Sequence, residues 1–338
     1  MIKAYLDHGA LQLHEITENN LPLLKDAIWL DLLHPTKEEE LQIEKFLNLN
    51  IPTREEMLEI ELSSRLYKTK EALFMTALMI AQSASPDPKH DAITFVLTKQ
   101  QLITIRYIEP LAFKLFTTKV QKIDINCHQP ANLLIELLES AVDRLADMLE
   151  TVGHHLEEAS NTIFHQQQTA TTEKPDYQQI IQHIGANADL NTKARECLVT
   201  LNRLITFFGQ SAGTQIDSEG QVRLGTLAKD IGALSDHANF ISSKVNFLLD
   251  ATLGMINIEQ NAIIKIFSVA AVIFLPPTLI ASIYGMNFHF MPELNFKWGY
   301  LIALGLMILS ALIPYKYFKR KNGCKLINQK IHKNQHKV

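Results

Sequence analysis

Hydrophobic positions change their period along this chain. Up to about residue 125 they come as short alternating runs, the signature of half-buried strands: Ile2–Asp7, Leu11–Ile16, Ala27–Leu33, Ala72–Ala81, Ala92–Leu97 and Leu102–Ile108. Thr36-Lys37-Glu38-Glu39, preceded by Pro35, and Thr53-Arg54-Glu55-Glu56 have capping-box spacing, so each predicts a helix start. Residues 110–121 predict another helix. From Pro130 the strand pattern is gone. Leu133, Leu134, Leu137, Leu138, Val142, Leu145 and Leu149 predict one long helix over 130–165. The Gln/Thr-rich stretch Gln166 to Pro175 predicts a linker, 177–208 a second long helix, and the Gly/Ser/Asp stretch 209–220 a turn.

A third helix is predicted to start near Val222. Leu224, Leu227, Ile231, Leu234, Ala238, Ile241, Val245 and Leu248 alternate steps of three and four, a heptad seam that continues through Thr252 and Met255. Gly232 and Gly254 are tolerated interruptions. Read as one helix to Ile283, it would be ~90 Å long at 1.5 Å per residue. The seam fits either a stalk shared between chains or a helical hairpin with residues 177–208; the spacing does not separate the two.

Two charge-free apolar stretches follow, Ile266 to Tyr284 and Trp298 to Tyr315. Each approaches the ~20 residues needed to cross a bilayer core. The short segment between them forces a hairpin around Tyr284-Gly285-Met286-Asn287-Phe288. A second stripe enters the first stretch from the third helix: Asp250, Gly254, Asn257, Asn261, Ile264, Ser268, Ala271, Leu275, Thr278 and Ser282. It mixes carboxylate, amide and hydroxyl groups with small and aliphatic ones, where a lipid-facing line would be uniformly apolar. Either it lines a water path repeated around a symmetry axis, or it is a small-residue helix contact. Pro276-Pro277 predicts a kink and frees backbone carbonyls.

Charge sets the orientation. The 338 residues carry −4 in all, but residues 261–338 hold ten Lys and Arg against the single acid Glu293, a net +9 that leaves −13 upstream. Lys316, Lys319, Arg320, Lys321, Lys325, Lys330, Lys333 and Lys337 follow the second stretch; the loop carries only Glu293 and Lys297. The positive-inside rule then puts both termini in the cytoplasm. Met1-Ile2-Lys3-Ala4-Tyr5-Leu6-Asp7 lacks the plan of a signal peptide. Cys127, Cys197 and Cys324 are too few and scattered for a disulfide framework. Cys127-His128 has no second pair at zinc spacing. His154-His155 with Glu157-Glu158 reads as a solvated helix face rather than a metal cluster, and the Met residues in 73–80 and Met255 read as core or seam. There is no Walker A loop, Gly-rich nucleotide turn or Ser/His/Asp pattern, so neither nucleotide, nucleic acid, organic cofactor nor an enzymatic activity is expected.

The loop supplies neutral oxygens. Gly285 permits a tight helix end, and Asn287 presents an amide oxygen and its own carbonyl. Mg²⁺, which dehydrates reluctantly, can be held by such oxygens through its hydration water, with Glu293 drawing cations to the mouth.

Ile256-Asn257-Ile258-Glu259-Gln260-Asn261, Lys265-Ile266-Phe267-Ser268, Phe274-Leu275-Pro276-Pro277-Thr278-Leu279, Tyr284-Gly285-Met286-Asn287-Phe288, Met291-Pro292-Glu293-Leu294 and the tail Tyr317-Phe318-Lys319-Arg320-Lys321-Asn322 together resemble the bacterial CorA family of magnesium channels. The strong match covers about 240–322. The resemblance implies an α+β cytosolic N-terminal domain with a long helical stalk, followed by a two-helix transmembrane hairpin, in a funnel-shaped homopentamer of the inner membrane. It implies passive Mg²⁺ uptake, often with Co²⁺ and Ni²⁺, and closure by cytosolic Mg²⁺, so that Mg²⁺ is both substrate and regulator. Gly285, Met286 and Asn287 would select the ion. Asp250, Asn261, Ile264, Phe267, Ser268, Ala271, Leu275, Thr278 and Ser282 would line the pore, with His289 and Glu293 at its mouth. The sensor carboxylates are not placed; Asp230 and Asp236 lie on the right helix.

The corresponding division is 1–125 for the α/β domain, 126–221 for its long antiparallel helices, 222–262 for the stalk, 263–284 for the pore helix, 285–297 for the loop, 298–317 for the second span and 318–338 for the basic tail. His289 is a departure, since many CorA-like loops carry an acid there. Neutral, it removes negative charge from the mouth; protonated, it repels cations. Zinc or proton-coupled relatives of the superfamily usually have Ile where Met286 stands. A two-span sensor or scaffold would need no polar line through its span.

Overall fold

The computed structural model describes residues 1–7, 11–17, 20–59, 61–85, 87–120, 129–165, 175–286 and 297–320. They form two compact units, Met1–Thr252 and the residues from Leu253 onward.

In the first unit one mixed sheet holds β1 (Ile2–Asp7), β2 (Leu11–Glu15), β3 (Ala27–Leu33), β4 (Leu66–Lys68), β5 (Ala72–Ala81), β6 (Lys89–Thr98) and β7 (Leu102–Arg106). Their order is β2-β1-β3-β7-β6-β5-β4. The β3–β7 pair is parallel and every other pair antiparallel. All seven residues of β3 are buried, because the sheet is covered on both faces. One face presents Ala4, Leu6, Leu30, Leu32, Ile103 and Ile105 to Leu24 of α1 (Leu23–Asp26), Ile43 of α2 (Lys37–Leu47) and Met57 of α3 (Arg54–Leu58).

The other face meets α5 (Leu111–Val120), which follows the one-turn helix α4 (Leu62–Arg65). There Trp29 sits against Phe113 and Phe116 at centroid distances of 6.3 and 5.6 Å. The long helices α6 (Pro130–His165) and α7 (Tyr177–Ser211) extend this layer; Thr200 of α7 accepts from the Leu78 backbone N–H at 3.0 Å.

Both capping boxes are present. The Thr36 hydroxyl accepts from Glu39 N and the Thr53 hydroxyl from Glu56 N, at 3.2 and 3.3 Å. The predicted turn over 209–220 is shorter than expected. Helix α7 runs on to Ser211, and α8 begins at Ser218 and continues to Tyr284, with Pro276 and Pro277 inside it. Gly220 is the reason for the misreading. It is not a breaker but a close approach: a Cβ there would lie 2.8 Å from Ile216 Cγ2 and 3.1 Å from Ile135 Cδ1. Its N–H also donates to Asp217 Oδ1, which caps the new helix.

The heptad seam of α8 closes within the chain. Ile231, Ala238 and Leu248 are fully buried, as is Thr252, while Leu234 is half-buried. Asn191 of α7 donates to Ala238 O at 3.0 Å and to Ser242 Oγ at 2.9 Å. On the α6 side, Arg223 joins Glu136 and Glu139, and Lys244 joins Glu157. The hairpin form of the seam is therefore realised in the single chain.

Candidate functional site

In the second unit, α8 beyond Leu253 and α9 (Gly299–Arg320) are the two described helices long and apolar enough to cross a membrane. Only 6% of the apolar stretch in each is covered within the chain, whereas the core helix of a soluble protein is mostly buried. Ile264, Phe267, Phe274, Leu275 and Leu279 on α8, and Leu301, Ile308, Leu309 and Ile313 on α9, all stand exposed. A contiguous apolar surface of that extent needs lipid or protein against it. Trp298 and Tyr300 flank one end of α9, with Tyr315, Tyr317, Lys319 and Arg320 at the other, the arrangement of interfacial anchors.

The face closed within the chain is narrow. On this part of α8 only Val269 is buried, and Ala262, Ile273, Pro276, Ile280 and Tyr284 are half-covered along the same line. On α9 the covered positions are Gly299, Ala303, Met307, Ser310, Ala311, Pro314 and Phe318, a helical line rich in small residues. At 100° per residue, the closed line of α8 and the line Asn261, Ile264, Ser268, Ala271, Leu275, Thr278, Ser282 point roughly 150° apart. Every residue of that second line is exposed. The small-residue contact within the chain is thus made on the opposite face, and the mixed polar stripe is left unpartnered. Phe267, 71% exposed, stands beside the stripe.

Thr278 Oγ1 donates to Phe274 O at 2.8 Å, next to the carbonyls that lose partners to Pro276 and Pro277. The helix ends where Gly285 N donates to Ala281 O at 2.9 Å and Met286 N to Ile283 O at 3.3 Å. Gly285 does not adopt a left-handed backbone; among the described glycines only Gly213 does, with φ 58°. A Cβ at Gly285 would stand 3.2 Å from the Ala281 oxygen, a tight contact. Asn287, His289 and Glu293 lie outside the described residues, as do Cys127, Cys324 and the tail beyond Arg320.

In the first unit Asp250 and Asp236 are exposed on α8. Asp230 lines a cleft of about 540 Å³ with Glu139, Asp143 and Arg223. Burial, reinforced by Glu139, Asp147 and Asp230, raises the Asp143 carboxyl above the usual carboxylate range, with Lys119 opposing. The hydrogen bonds that Arg223 donates to the Glu139 carboxylate hold its guanidinium still more firmly protonated.

Of the His/Glu run on α6, His155 Nδ1 is 3.0 Å from Asn187 Oδ1, His154 is 3.7 Å from Glu150, and Glu157 holds Lys244. No group of three or more His, Cys, Asp or Glu among the described residues is placed to hold a metal ion. Cys197 is buried, which pushes its thiol up. Met75 is core, and Met79 nearly so. Sequence reasoning missed the Glu136–Arg223–Glu139 cluster, because Arg223 lies more than 80 positions from the two glutamates and the set carries no local motif.

An α/β body, a long helix and two apolar helices left open by their own chain define a two-span membrane protein with a large extramembrane domain. The CorA-like Mg²⁺ transporter protein family matches residues 25–320. The chain is 37% identical over 324 residues to the magnesium transport protein CorA of Pasteurella multocida, covering 95% of this chain and 99% of that one. It is 36% identical over 329 residues to those of Salmonella typhimurium and Escherichia coli, with the same coverage. The fold is similar to that of the complete CorA magnesium transporter from Methanocaldococcus jannaschii, with a TM-score of 0.72 at 19% identity over 95% of this chain and 98% of that one. It is also similar to the full-length CmaX protein, with a TM-score of 0.64 at 12% identity over 94% and 96%. This chain belongs to the CorA-like family of Mg²⁺ transporters.

Proposed function

We propose that this protein is a passive, gradient-driven Mg²⁺ channel of the bacterial cytoplasmic membrane, assembled as a homopentamer with both termini in the cytosol. The observation that carries the reading is the exposed stripe from Asn261 to Ser282, set on the face of the first span opposite its intrachain contact. Five copies of that line around an axis give polar rings at Asn261, Ser268, Thr278 and Ser282, separated by apolar ones at Ile264 and Leu275, with Phe267 beside the line. Asp250 adds an acidic ring below them. The naming of relatives that share over a third of their residues as magnesium transport proteins supports Mg²⁺ as the substrate.

Hydrated Mg²⁺ meets the Gly285-Met286-Asn287 loop first, held through water by Asn287 oxygens; Co²⁺, and Ni²⁺ less firmly, share the path. Glu293 attracts cations there and His289 tempers the attraction. Cytosolic Mg²⁺ favours the closed state. Lipid covers the outer surfaces of 263–284 and 298–317, and the basic tail stays inside.

Thiol accessibility tests the stripe. In a protein with its native cysteines replaced, single cysteines at Ser268, Ala271 and Leu275 should react with a membrane-impermeant, water-soluble thiol reagent, and a cysteine at Val269 should not. Equal labelling at all four would remove the stripe from the water path.

A further inference from the structure

On the sheet face that meets α5 and α6 lies a cleft of about 490 Å³. Its lining brings together Lys3 of β1, Arg106 at the end of β7, Lys114 of α5 and Arg144 of α6, with Glu109 as the only acid among the lining residues. A local excess of positive charge is unexpected in a part of the chain that carries −13, by subtraction of the +9 beyond residue 260 from the total of −4.

The four cations differ in what they have free. Arg106 is used: its Nε and Nη2 hold Asp31 at 2.9 and 2.8 Å, and its Nη1 donates to Ile108 O at 2.9 Å. Asp31 and Thr104 anchor it from behind, through a hydrogen bond of 2.8 Å between them. Lys3 and Lys114 have no ion pair among the described residues. Arg144 is half satisfied. Its Nη2 donates to Ser83 Oγ at 3.0 Å, and its Nη1 is 3.5 Å from the exposed carboxylate of Asp147. Its Nε is buried with no hydrogen-bond partner. A buried guanidinium N–H without an acceptor is costly. The cleft also takes in Leu111, the first residue of α5, whose backbone N–H has no helical acceptor, whereas Pro110 has no N–H and the Phe113 N–H is held by Pro110 O at 3.1 Å.

We propose that this cleft is a binding site for a small phosphate-bearing anion, held by Lys3, Lys114, Arg144 and the first turn of α5. Lys3 and Lys114 supply charge on flexible stems, Arg144 supplies a guanidinium held in place by Ser83 and Asp147, and the helix start supplies the Leu111 N–H. The volume exceeds that of a single phosphate group, so a diphosphate or a larger phosphate ester fits. Glu109 sets a limit on charge density that favours a spread anion over a compact one. The site is separate from the membrane unit and does not rest on the channel reading.

The test is calorimetric titration of the full-length protein in detergent, in Mg²⁺-free buffer, with inorganic pyrophosphate in one arm and ADP in the other. Saturable binding of pyrophosphate is expected, and Lys3→Ala with Lys114→Ala should weaken it about tenfold or more. Arg144→Lys keeps the charge and should also weaken it, because the planar guanidinium held by Ser83 is lost. Tighter binding of ADP than of pyrophosphate would assign the rest of the cleft to an organic group; equal binding would assign the site to the diphosphate alone. Lys3 and Lys114 stand outside the core, and an unchanged unfolding temperature of the free variants establishes that they are folded. Absence of binding in both arms would overturn the proposal, and so would binding that the Lys3/Lys114 double variant leaves unchanged.

Discussion

At the scale of single residues, buried charge and loop charge give opposite kinds of prediction. Asp31 and Arg106 stand 75 positions apart, yet both are almost fully buried and bonded through two oxygens. Trp29 Nε1 completes the cluster through Thr104 at 3.0 Å. Removing one partner leaves the other charge uncompensated, so Asp31→Ala should cost ~3–5 kcal/mol, read as a lowered unfolding midpoint. Asp143 works the other way. Its raised pKa means that the folded state binds its proton more tightly than the unfolded chain. Its ionisation therefore lowers stability as pH rises through the folded pKa, and it makes no difference once pH is below both values. Asp143→Asn should raise the unfolding temperature at neutral pH in Mg²⁺-free buffer, with the gain vanishing toward about pH 3. At the loop, His289→Glu should increase uptake at low external Mg²⁺ by up to about tenfold. The gap should widen as pH falls from roughly 8 to 6, where imidazole protonates. Equal uptake across that range would remove His289 from the account.

At the scale of elements, what the sequence revealed depended on period and length. The runs Ile2–Asp7, Ala27–Leu33 and Ala72–Ala81 are strands with the expected bounds, because alternation and turn residues agree there. Strand β4 escaped notice because three residues, Leu66–Lys68, carry no periodicity. The start of α8 was misplaced by four residues, because a glycine admitted for lack of space looks in sequence like a glycine that ends a helix. Gly220→Ala should therefore destabilise by ~1–3 kcal/mol, the cost of overfilling a closed contact, although alanine is the better helix former. A measured gain in stability would show that Ile216 and Ile135 yield freely. The candidate site divides in the same way. The polar stripe is periodic and was legible; the closed face opposite it needed α9 in place. The cationic cleft joins positions 3 to 144 and has no motif.

At the scale of the whole molecule, the proposed assembly accounts for apolar surface that the single chain leaves open. Beyond the two spans, Val222, Phe240 and Phe247 of α8 are 70, 63 and 59% exposed in the first unit. Contact with further copies would cover them, and the heptad seam is already used within the chain. Phe240→Asp should weaken the proposed assembly and leave the protomer folded, seen in native mass spectrometry as loss of the proposed five-chain species. The central claim is that Mg²⁺ crosses through a path entered at Asn287. Mg²⁺ flux into liposomes, driven by a concentration gradient and an inside-negative potential, measures it directly for the wild type and Asn287→Ala. The account predicts rapid wild-type flux, blocked by cobalt hexammine as a mimic of hydrated Mg²⁺, and flux that is lost or no longer selective for Mg²⁺ in the variant. No wild-type flux, or flux that neither the substitution nor the blocker changes, would contradict it.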